Sequence, residues 1–390
     1  MKLDVAPFRA RPGMEKLLAA LGEEDGAIRF VGGAVRDSLM GIAVEDIDCA
    51  TLHDPHEVVR RLEAAGIKAV PTGIEHGTIT AVSNGTVVEV TTLRADVSTD
   101  GRRATVAFSS DWQEDAARRD FTINALYADP ATGEIFDFFG GKDDLEARRV
   151  RFIGEPLQRI AEDHLRILRF FRFHARFGQG APDAAGLAAC TRRANDLMAL
   201  SRERVADELL KLLRLPDPRE TVALMHDGGI FAPVLPEITA QGIERLASLI
   251  DTEQAAGLEP AAIRRLAALL PQDEKSARDV AARLRLSKAR TQRLARAAAP
   301  CAMLPHEQAY RQSKEAALDR LAIEGRADAM ADLADWDVPV LPLKGGDLIA
   351  RGITQGPEVA RTLRAIETAW IDAGFPTGEA FEKIVAKALA

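Results

Sequence analysis

Ile28-Arg29-Phe30-Val31-Gly32-Gly33-Ala34-Val35-Arg36-Asp37, followed nine residues later by Asp46-Ile47-Asp48, is the stretch that decides the reading of this chain. Ile28 to Val31 is rich in β-branched and aromatic residues and predicts a strand, which two glycines turn into a helix. Glycines let backbone N–H groups approach a phosphate closely, and a helix N-terminus adds partial positive charge. Arg36, one turn in, reaches the same anion. The pattern is neither G-x-x-x-x-G-K-[ST] nor G-x-G-x-x-G. Asp46 and Asp48, two residues apart, are expected on one face of a strand. Two carboxylates on one face repel unless a cation lies between them, and hard oxygen ligands favour Mg²⁺, which takes one or two carboxylates plus substrate phosphates. Taken singly, a Gly-Gly pair is a tight turn and D-x-D a polar surface. Together they read as a nucleotidyl-transfer site, with Asp46 and Asp48 as catalytic carboxylates and metal ligands.

Glu89, in Thr86-Val87-Val88-Glu89-Val90-Thr91, has two readings. It is either a third catalytic carboxylate beside Asp46 and Asp48, or the outward polar residue of an alternating strand.

The chain has 390 residues, a length that suggests two or three domains. Acids outnumber Lys and Arg by 59 to 51, a net charge of -8. It is therefore no wholly basic nucleic-acid coat, and any nucleic-acid surface must be local. The three cysteines are far apart and form no C-x-x-C pair, which argues against a disulfide framework or a cysteine zinc site. No apolar run reaches membrane-spanning length, and the amino-terminal segment lacks the apolar core of a secretory signal. A cytoplasmic protein with no membrane contact and no obligate protein partner is expected.

Strand-like runs crowd residues 28–140, interrupted by helical stretches near 34–40 and 55–65, and from about residue 157 the pattern is helical. This order predicts an α+β fold, with a strand-bearing head followed by helices. Pro and Gly clusters at Gly178–Pro182, Pro216–Pro218 and Pro233–Pro236 mark joints. Between Lys275 and Arg296 eight Lys or Arg face one acid, Asp279. On one helix this is a basic stripe, either a solvated face or a contact for an RNA backbone.

G-G-x-V-R-D followed by D-x-D resembles the signature of class II tRNA nucleotidyltransferases (CCA-adding enzymes) and the related bacterial poly(A) polymerases. Three further stretches strengthen the resemblance. Arg118-Arg119-Asp120-Phe121-Thr122-Ile123-Asn124-Ala125 is similar to R-R-D-F-T-x-N-A. Asp137 to Leu145 resembles the hinge before the neck. Glu162-Asp163-His164-Leu165-Arg166 is similar to E-D-x-x-R, the nucleotide-selecting motif. The resemblance implies a nucleotidyltransferase head with a small mixed or antiparallel sheet over 1–145. A helical neck over 146–235 and a helical body and tail over 236–390 would follow. It also implies template-independent addition of C, C and A to the 3′ end of tRNA from CTP and ATP, with release of pyrophosphate.

Asp163 and Arg166, three apart, are expected as neighbours on one helix. Cytosine and adenine each present an exocyclic amino donor beside a ring-nitrogen acceptor, which an Asp acceptor and an Arg donor match. Guanine and uracil present the opposite order and leave buried groups unpaired. Arg169 and Arg172 continue the ladder. By resemblance they belong to the nucleotide pocket, and the other reading, strong for Arg172, is salt bridging within the neck. The resemblance puts Gly32, Gly33, Arg36 and Arg119 on the triphosphate or sugar. Arg118 is expected to face solvent. Asn124 is either a nucleotide contact or a packing amide. Glu162 is expected to orient an arginine, and Arg204 and Glu208 to support the neck.

Gly73-Ile74-Glu75-His76-Gly77-Thr78 resembles the CCA-adding form, G-x-x-H-G-T, and not the basic segment of poly(A) polymerases. The polar Thr99-Asp100-Gly101-Arg102-Arg103 resembles the loop that serves CCA-adding relatives in switching from CTP to ATP. The alternatives are poly(A) polymerase and partial, CC- or A-adding, enzymes. The helical body and tail would grip the acceptor arm of tRNA. The segment from Lys344 to Pro357 reads as a glycine-bearing connection between helices. His226-Asp227 lacks the further ligands of a phosphohydrolase centre.

Overall fold

The computed structural model describes residues 2–99, 104–353 and 356–389. Asp100 to Arg103 of the expected switching loop, and Thr354 and Gln355 of the tail segment, lie outside the described residues. The chain divides into two compact units. One is built from residues up to Ile243 with Arg283–Leu286, the other from Glu244–Ala282 and the residues from Ser287 onward.

The first unit carries a seven-stranded mixed sheet. Its strands are β1 (Ile28–Val31), β2 (Ile47–Thr51), β3 (Lys68–Gly73), β4 (Thr78–Ser83), β5 (Thr86–Thr92), β8 (Leu126–Ala128) and β9 (Ile135–Asp137), in the order β3-β4-β5-β2-β1-β8-β9. Strands β6 (Arg94–Thr99) and β7 (Ala104–Phe108) form a separate antiparallel ribbon. The pairing of β2 with β5 is parallel and sets Asp48 opposite Glu89; all other pairings are antiparallel. Alternation decides which face each residue takes. Val88 and Val90 are fully buried, while Val87 is 54% exposed and Glu89 shares its face.

β8 is a strand that the sequence pattern does not single out. It has three residues, all buried, and sits between β1 and β9. Buried on both faces, it shows no alternation to read.

The turn after β1 is as the glycines suggest. Gly32 has φ +65°, a conformation that glycine adopts without penalty, and the helix Gly33–Leu39 starts directly after it. Asp54 caps the next helix, Pro55–Ala64, through the amides of His56 (2.9 Å) and Glu57 (3.1 Å), with proline at the first position.

The helix Arg166–Phe177 packs an aromatic stripe against Phe121 and Phe152, which face each other across an isolated antiparallel bridge. Phe170 stacks on Phe152 (5.5 Å between centroids), and Phe121 sits 5.2 Å from Phe173. Burying each such ring contributes about 1.5–3 kcal/mol, which fixes the helix, and with it the arginines on its other face.

The second unit is helical, with one core around Leu249, Leu321 and Leu333 and another around Ile366, Trp370 and Phe381. Two expectations are corrected here. Lys275 to Arg296 is not one helix: Glu274–Arg283 and Lys288–Ala298 are separated by a break at Arg285, φ +52°. Much of its charge is neutralised, by the pairs Lys275–Asp279, Arg278–Glu274, Arg283–Glu237 and Arg293–Asp319, so no continuous stripe exists. In the tail, Gly345 to Ala350 is itself a helix, and Asp347 accepts the amide of Lys344 at 2.7 Å. Among the described residues no helix is long and apolar enough to cross a membrane.

Candidate active site

An open cleft of about 440 Å³ in the first unit is lined by Gly32, Gly33, Arg36, Asp48, Arg119, Asn124, Asp163, Arg166 and Arg169. Nine of the residues singled out from the sequence are therefore brought together, from the glycine turn and the helix Gly33–Leu39, from β2, from residues 118–124, and from Asp163 and the helix Arg166–Phe177. Arg118, Asp120 and Phe173 also line it. Asp46, Glu89 and Arg172 do not.

At the glycine turn, Arg36 is buried beneath the helix it belongs to. Its Nε donates to Asp37 (2.7 Å), its Nη1 donates to the side-chain oxygen of Asn124, and its guanidinium lies 4.1 Å from the Phe177 ring centre. Burial lowers the Arg36 pKa against the pull of Asp37. Asn124 in turn donates to Asp120 at 2.9 Å. Asn124 thus packs between Arg36 and Asp120 and also lines the cleft.

Asp46 precedes β2 and is exposed, so the expectation of two acids within one strand is corrected: only Asp48 is a strand residue. Glu89 stands beside Asp48 across the parallel pair. Burial pushes the Asp48 carboxyl up, and Glu89 and Asp46 push the same way against Arg119. Among the described residues no three His, Cys, Asp or Glu side chains gather closely enough to hold a metal ion by themselves. A divalent cation that takes one or two carboxylates and completes its shell with substrate phosphates fits this edge, because it would relieve the crowding of negative charge.

The neck side differs from the expected single helix. Pro156–Glu162 ends at Asp163, whose backbone is extended (φ -148°, ψ 107°), and a new helix begins at Arg166. Asp163 and Arg166 therefore do not share a helix face. Asp163 accepts the amide of Leu165 (3.1 Å) and the guanidinium of Arg204 (2.7 Å). Arg166 reaches back to Glu162 (2.6 Å) and to the carbonyls of Arg159 and Arg118 (both 2.8 Å). Those bonds use three of its five N–H donors, and two of the carboxylate's roughly four acceptor sites are used at Asp163, so each keeps capacity for a ligand.

Arg169 donates to Asp120 at 2.7 Å and keeps a face on the cleft. Arg172 is held by Glu208 at 2.5 Å, away from the cleft lining, which is the salt-bridge reading of that residue. Arg118 is not solvent-facing as expected: it is partly buried and bonds Asp115 at 2.7 Å. The spacing Asp115, Arg118, Arg119 on a helix end carried that signal. Arg119 bonds Tyr127 (3.2 Å) and Asp115 (3.0 Å); burial opposes its charge, and Tyr127 and Asp115 together raise its pKa nonetheless.

The family model described as the Poly A polymerase head domain matches residues 28–151, and the model described as a probable RNA and SrmB-binding site of polymerase A matches residues 183–242. The mitochondrial CCA tRNA nucleotidyltransferase 1 of Mus musculus is 33% identical over 397 residues, with 96% of this chain and 90% of that protein covered. The chain belongs to the CCA tRNA nucleotidyltransferase family. A CCA-adding enzyme of Limosilactobacillus fermentum is 32% identical, with 94% of each chain covered. Membership makes the chain an enzyme of the nucleotidyltransferase class, and the CCA tRNA nucleotidyltransferase family uses divalent metal ions. The structure of the Bacillus stearothermophilus CCA-adding enzyme in complex with CTP superposes with a TM-score of 0.70 at 26% identity, covering 97% of this chain and 98% of that one. The Thermotoga maritima CCA-adding enzyme complexed with tRNA shares the fold, at a TM-score of 0.73 and 20% identity. These likenesses match the α+β expectation of a head with a mixed sheet followed by helices.

Proposed function

We propose that this protein adds C, C and A in turn to the 3′ end of tRNA, using CTP and ATP and releasing pyrophosphate. The observation that carries the reading is the single cleft shared by the glycine turn, Asp48, Arg119 and the Asp163–Arg166 corner. The 3′-hydroxyl attacks the α-phosphorus and pyrophosphate leaves. Gly32 and Gly33 offer backbone to the triphosphate, and Arg36 and Arg119 offer charge. Asn124 holds Arg36 in place while facing the ligand. Asp163 accepts the exocyclic amine of cytosine or adenine and Arg166 donates to the adjacent ring nitrogen; guanine and uracil leave both unpaired. Arg169 keeps Asp120 neutralised at the rim of the same cleft, and Arg172 supports it from behind through Glu208.

Asp46 and Asp48 would hold Mg²⁺, with Glu89 beside them as a third carboxylate. Bound there, the cation would lower the pKa of the attacking hydroxyl and steady charge on the transferred phosphate. The catalytic head corresponds to 1–145, the neck to 146–235, and the body and tail that grip the acceptor arm to 236–390. The free thiols of Cys49, Cys190 and Cys301 fit a reducing compartment, and we assign the cytoplasm.

The test is incorporation of labelled CTP and ATP, with Mg²⁺, into tRNA lacking its CCA end. The expected product gains two cytidines and one adenosine. Long A tracts identify a poly(A) polymerase, and arrest after two cytidines a partial enzyme. No incorporation at all removes the reading.

A further inference from the structure

Asp115 is neither one of the acids assigned to the metal nor part of the corner assigned to the base, yet it is the most heavily bonded carboxylate near the cleft. It is 1% exposed. One oxygen accepts from Arg118 Nε (2.8 Å), Arg118 Nη2 (2.7 Å) and the backbone N–H of Arg94 (3.1 Å). The other accepts from Arg119 Nη2 (3.0 Å) and the Tyr127 hydroxyl (2.6 Å).

These partners belong to three different elements. Arg118 and Arg119 line the cleft, and a Cβ placed on Gly32 would meet Arg119 Nη1 at 3.4 Å, so Arg119 lies directly over the glycine turn. Arg94 opens β6 and is the root of the ribbon. Tyr127 lies in β8, inside the sheet.

Two guanidiniums on consecutive residues repel, and without a shared counter-charge they separate toward water. Burial alone would push the Asp115 carboxyl up; Arg119, Arg118 and the Tyr127 hydroxyl outweigh it and hold it well below the usual carboxylate range. Five donors thus favour the ionised form of this carboxylate. Because the same oxygen serves Arg118 and the Arg94 amide, a shift of the ribbon root disturbs the aim of the arginines, and the reverse holds as well.

We propose that Asp115 is a positioning residue for the incoming nucleoside triphosphate: it aims Arg118 and Arg119 into the cleft and ties the root of the β6–β7 ribbon to that aim. This rests on the functional reading above for the identity of the ligand.

Asp115→Asn in the full-length protein keeps the shape and removes the charge. The Kd for CTP and that for ATP are both expected to rise roughly tenfold. The Kd for tRNA lacking its CCA end should stay within about twofold, because the general phosphate surface is untouched. Amide hydrogen exchange in the peptide that contains Arg94 should accelerate. Arg119→Ala should weaken the nucleotides without that acceleration. Tyr127→Phe, a milder change that keeps the bonds from Asp115 to both arginines and removes only the hydroxyl shared by Asp115 and Arg119 Nε, should weaken nucleotide binding by roughly threefold and move exchange in the same direction.

Unchanged nucleotide affinity in folded Asp115→Asn overturns the proposal. So does a parallel loss of tRNA and nucleotide affinity, or undisturbed exchange at Arg94 in both Asp115→Asn and Tyr127→Phe. A wild-type protein that binds CTP and ATP but extends no tRNA removes the functional reading and leaves this linkage to be decided by binding and exchange.

Discussion

In the first unit Arg118, Arg119, Arg166 and Arg169 each meet a carboxylate and still face an open cleft. In the second unit Arg264 and Arg265 also meet carboxylates, but they are 5% and 1% exposed and face only protein. Glu253 accepts from Arg264 at 2.6 Å and from Arg265 at 2.8 Å, and Asp319 joins the cluster through Arg264 (3.3 Å) and Arg293 (2.7 Å). The chemistry of the two clusters is the same and their consequences differ. In the closed cluster the guanidiniums are shut away from solvent and from any cleft, so the arginines hold helices together. In the cleft, pairing fixes the direction of each guanidinium while part of its donor set stays available, which is what a preorganised anion site needs.

The sharpest way to break this comparison is at the acid edge of the cleft. Asp48→Ala and Asp46→Ala are each expected to lower addition of both C and A by roughly 10³-fold or more, with tRNA binding largely intact. Single-turnover incorporation of labelled CTP and ATP, alongside a tRNA filter-binding curve, measures both quantities. Near-normal turnover in either variant removes that residue from the metal site.

The closed cluster should respond in the opposite currency. Glu253→Ala leaves Arg264 and Arg265 buried without their shared counter-charge, a loss of about 3–5 kcal/mol of stability in the second unit. Denaturant unfolding reads that loss. CTP affinity, measured below the unfolding midpoint, is expected to stay unchanged, because no residue of the cleft belongs to that unit. A matching fall in CTP affinity would erase the distinction between the clusters.

Much of this was legible beforehand because glycines and carboxylates carry strong local signals. The Gly32 turn, the β2 carboxylate and the opposite faces of Val88 and Glu89 follow from backbone freedom and from the two-residue period of a strand. The corner at Asp163 was misread as continuous helix, since Glu162 to Arg166 holds neither Gly nor Pro. What breaks it is tertiary: Arg166 turns back onto the carbonyls of Arg118 and Arg159. One local clue existed, because an aspartate whose side chain accepts an amide two residues on favours a helix start over a helix middle. Arg118 and Asp115 were missed for another reason. Their spacing advertises an ion pair, but whether a pair faces water or a cleft depends on how the sheet and the neck close around it.

A smaller effect is expected at that corner. Arg166→Ala should reduce discrimination against UTP and GTP by roughly 10- to 100-fold, because the mismatched bases no longer face a donor. Competition between labelled CTP and unlabelled UTP or GTP measures it, and an unchanged preference removes Arg166 from base selection. Arg172→Ala is the control, since its guanidinium is consumed by Glu208.

The smallest effect concerns protons. His174 is buried in the helix that carries Arg166, Arg169 and Arg172, and burial lowers its pKa against a weaker pull from Glu220. Gly178 packs so tightly on it that an added Cβ would lie 2.4 Å from Nδ1, so that side of the ring is closed by backbone. A group whose folded-state pKa is depressed binds fewer protons folded than unfolded. Its stabilising contribution is complete above the free imidazole value of about 6.5 and is lost as the pH falls below it. The Tm of the wild type should therefore drop between about pH 7 and pH 5 by a few degrees more than that of His174→Gln, in which no proton is taken up on unfolding. Equal slopes in the two proteins would mean that the ring is already hydrated in the folded state, and the tight packing around this helix would then not be what keeps the arginine ladder in register with the cleft.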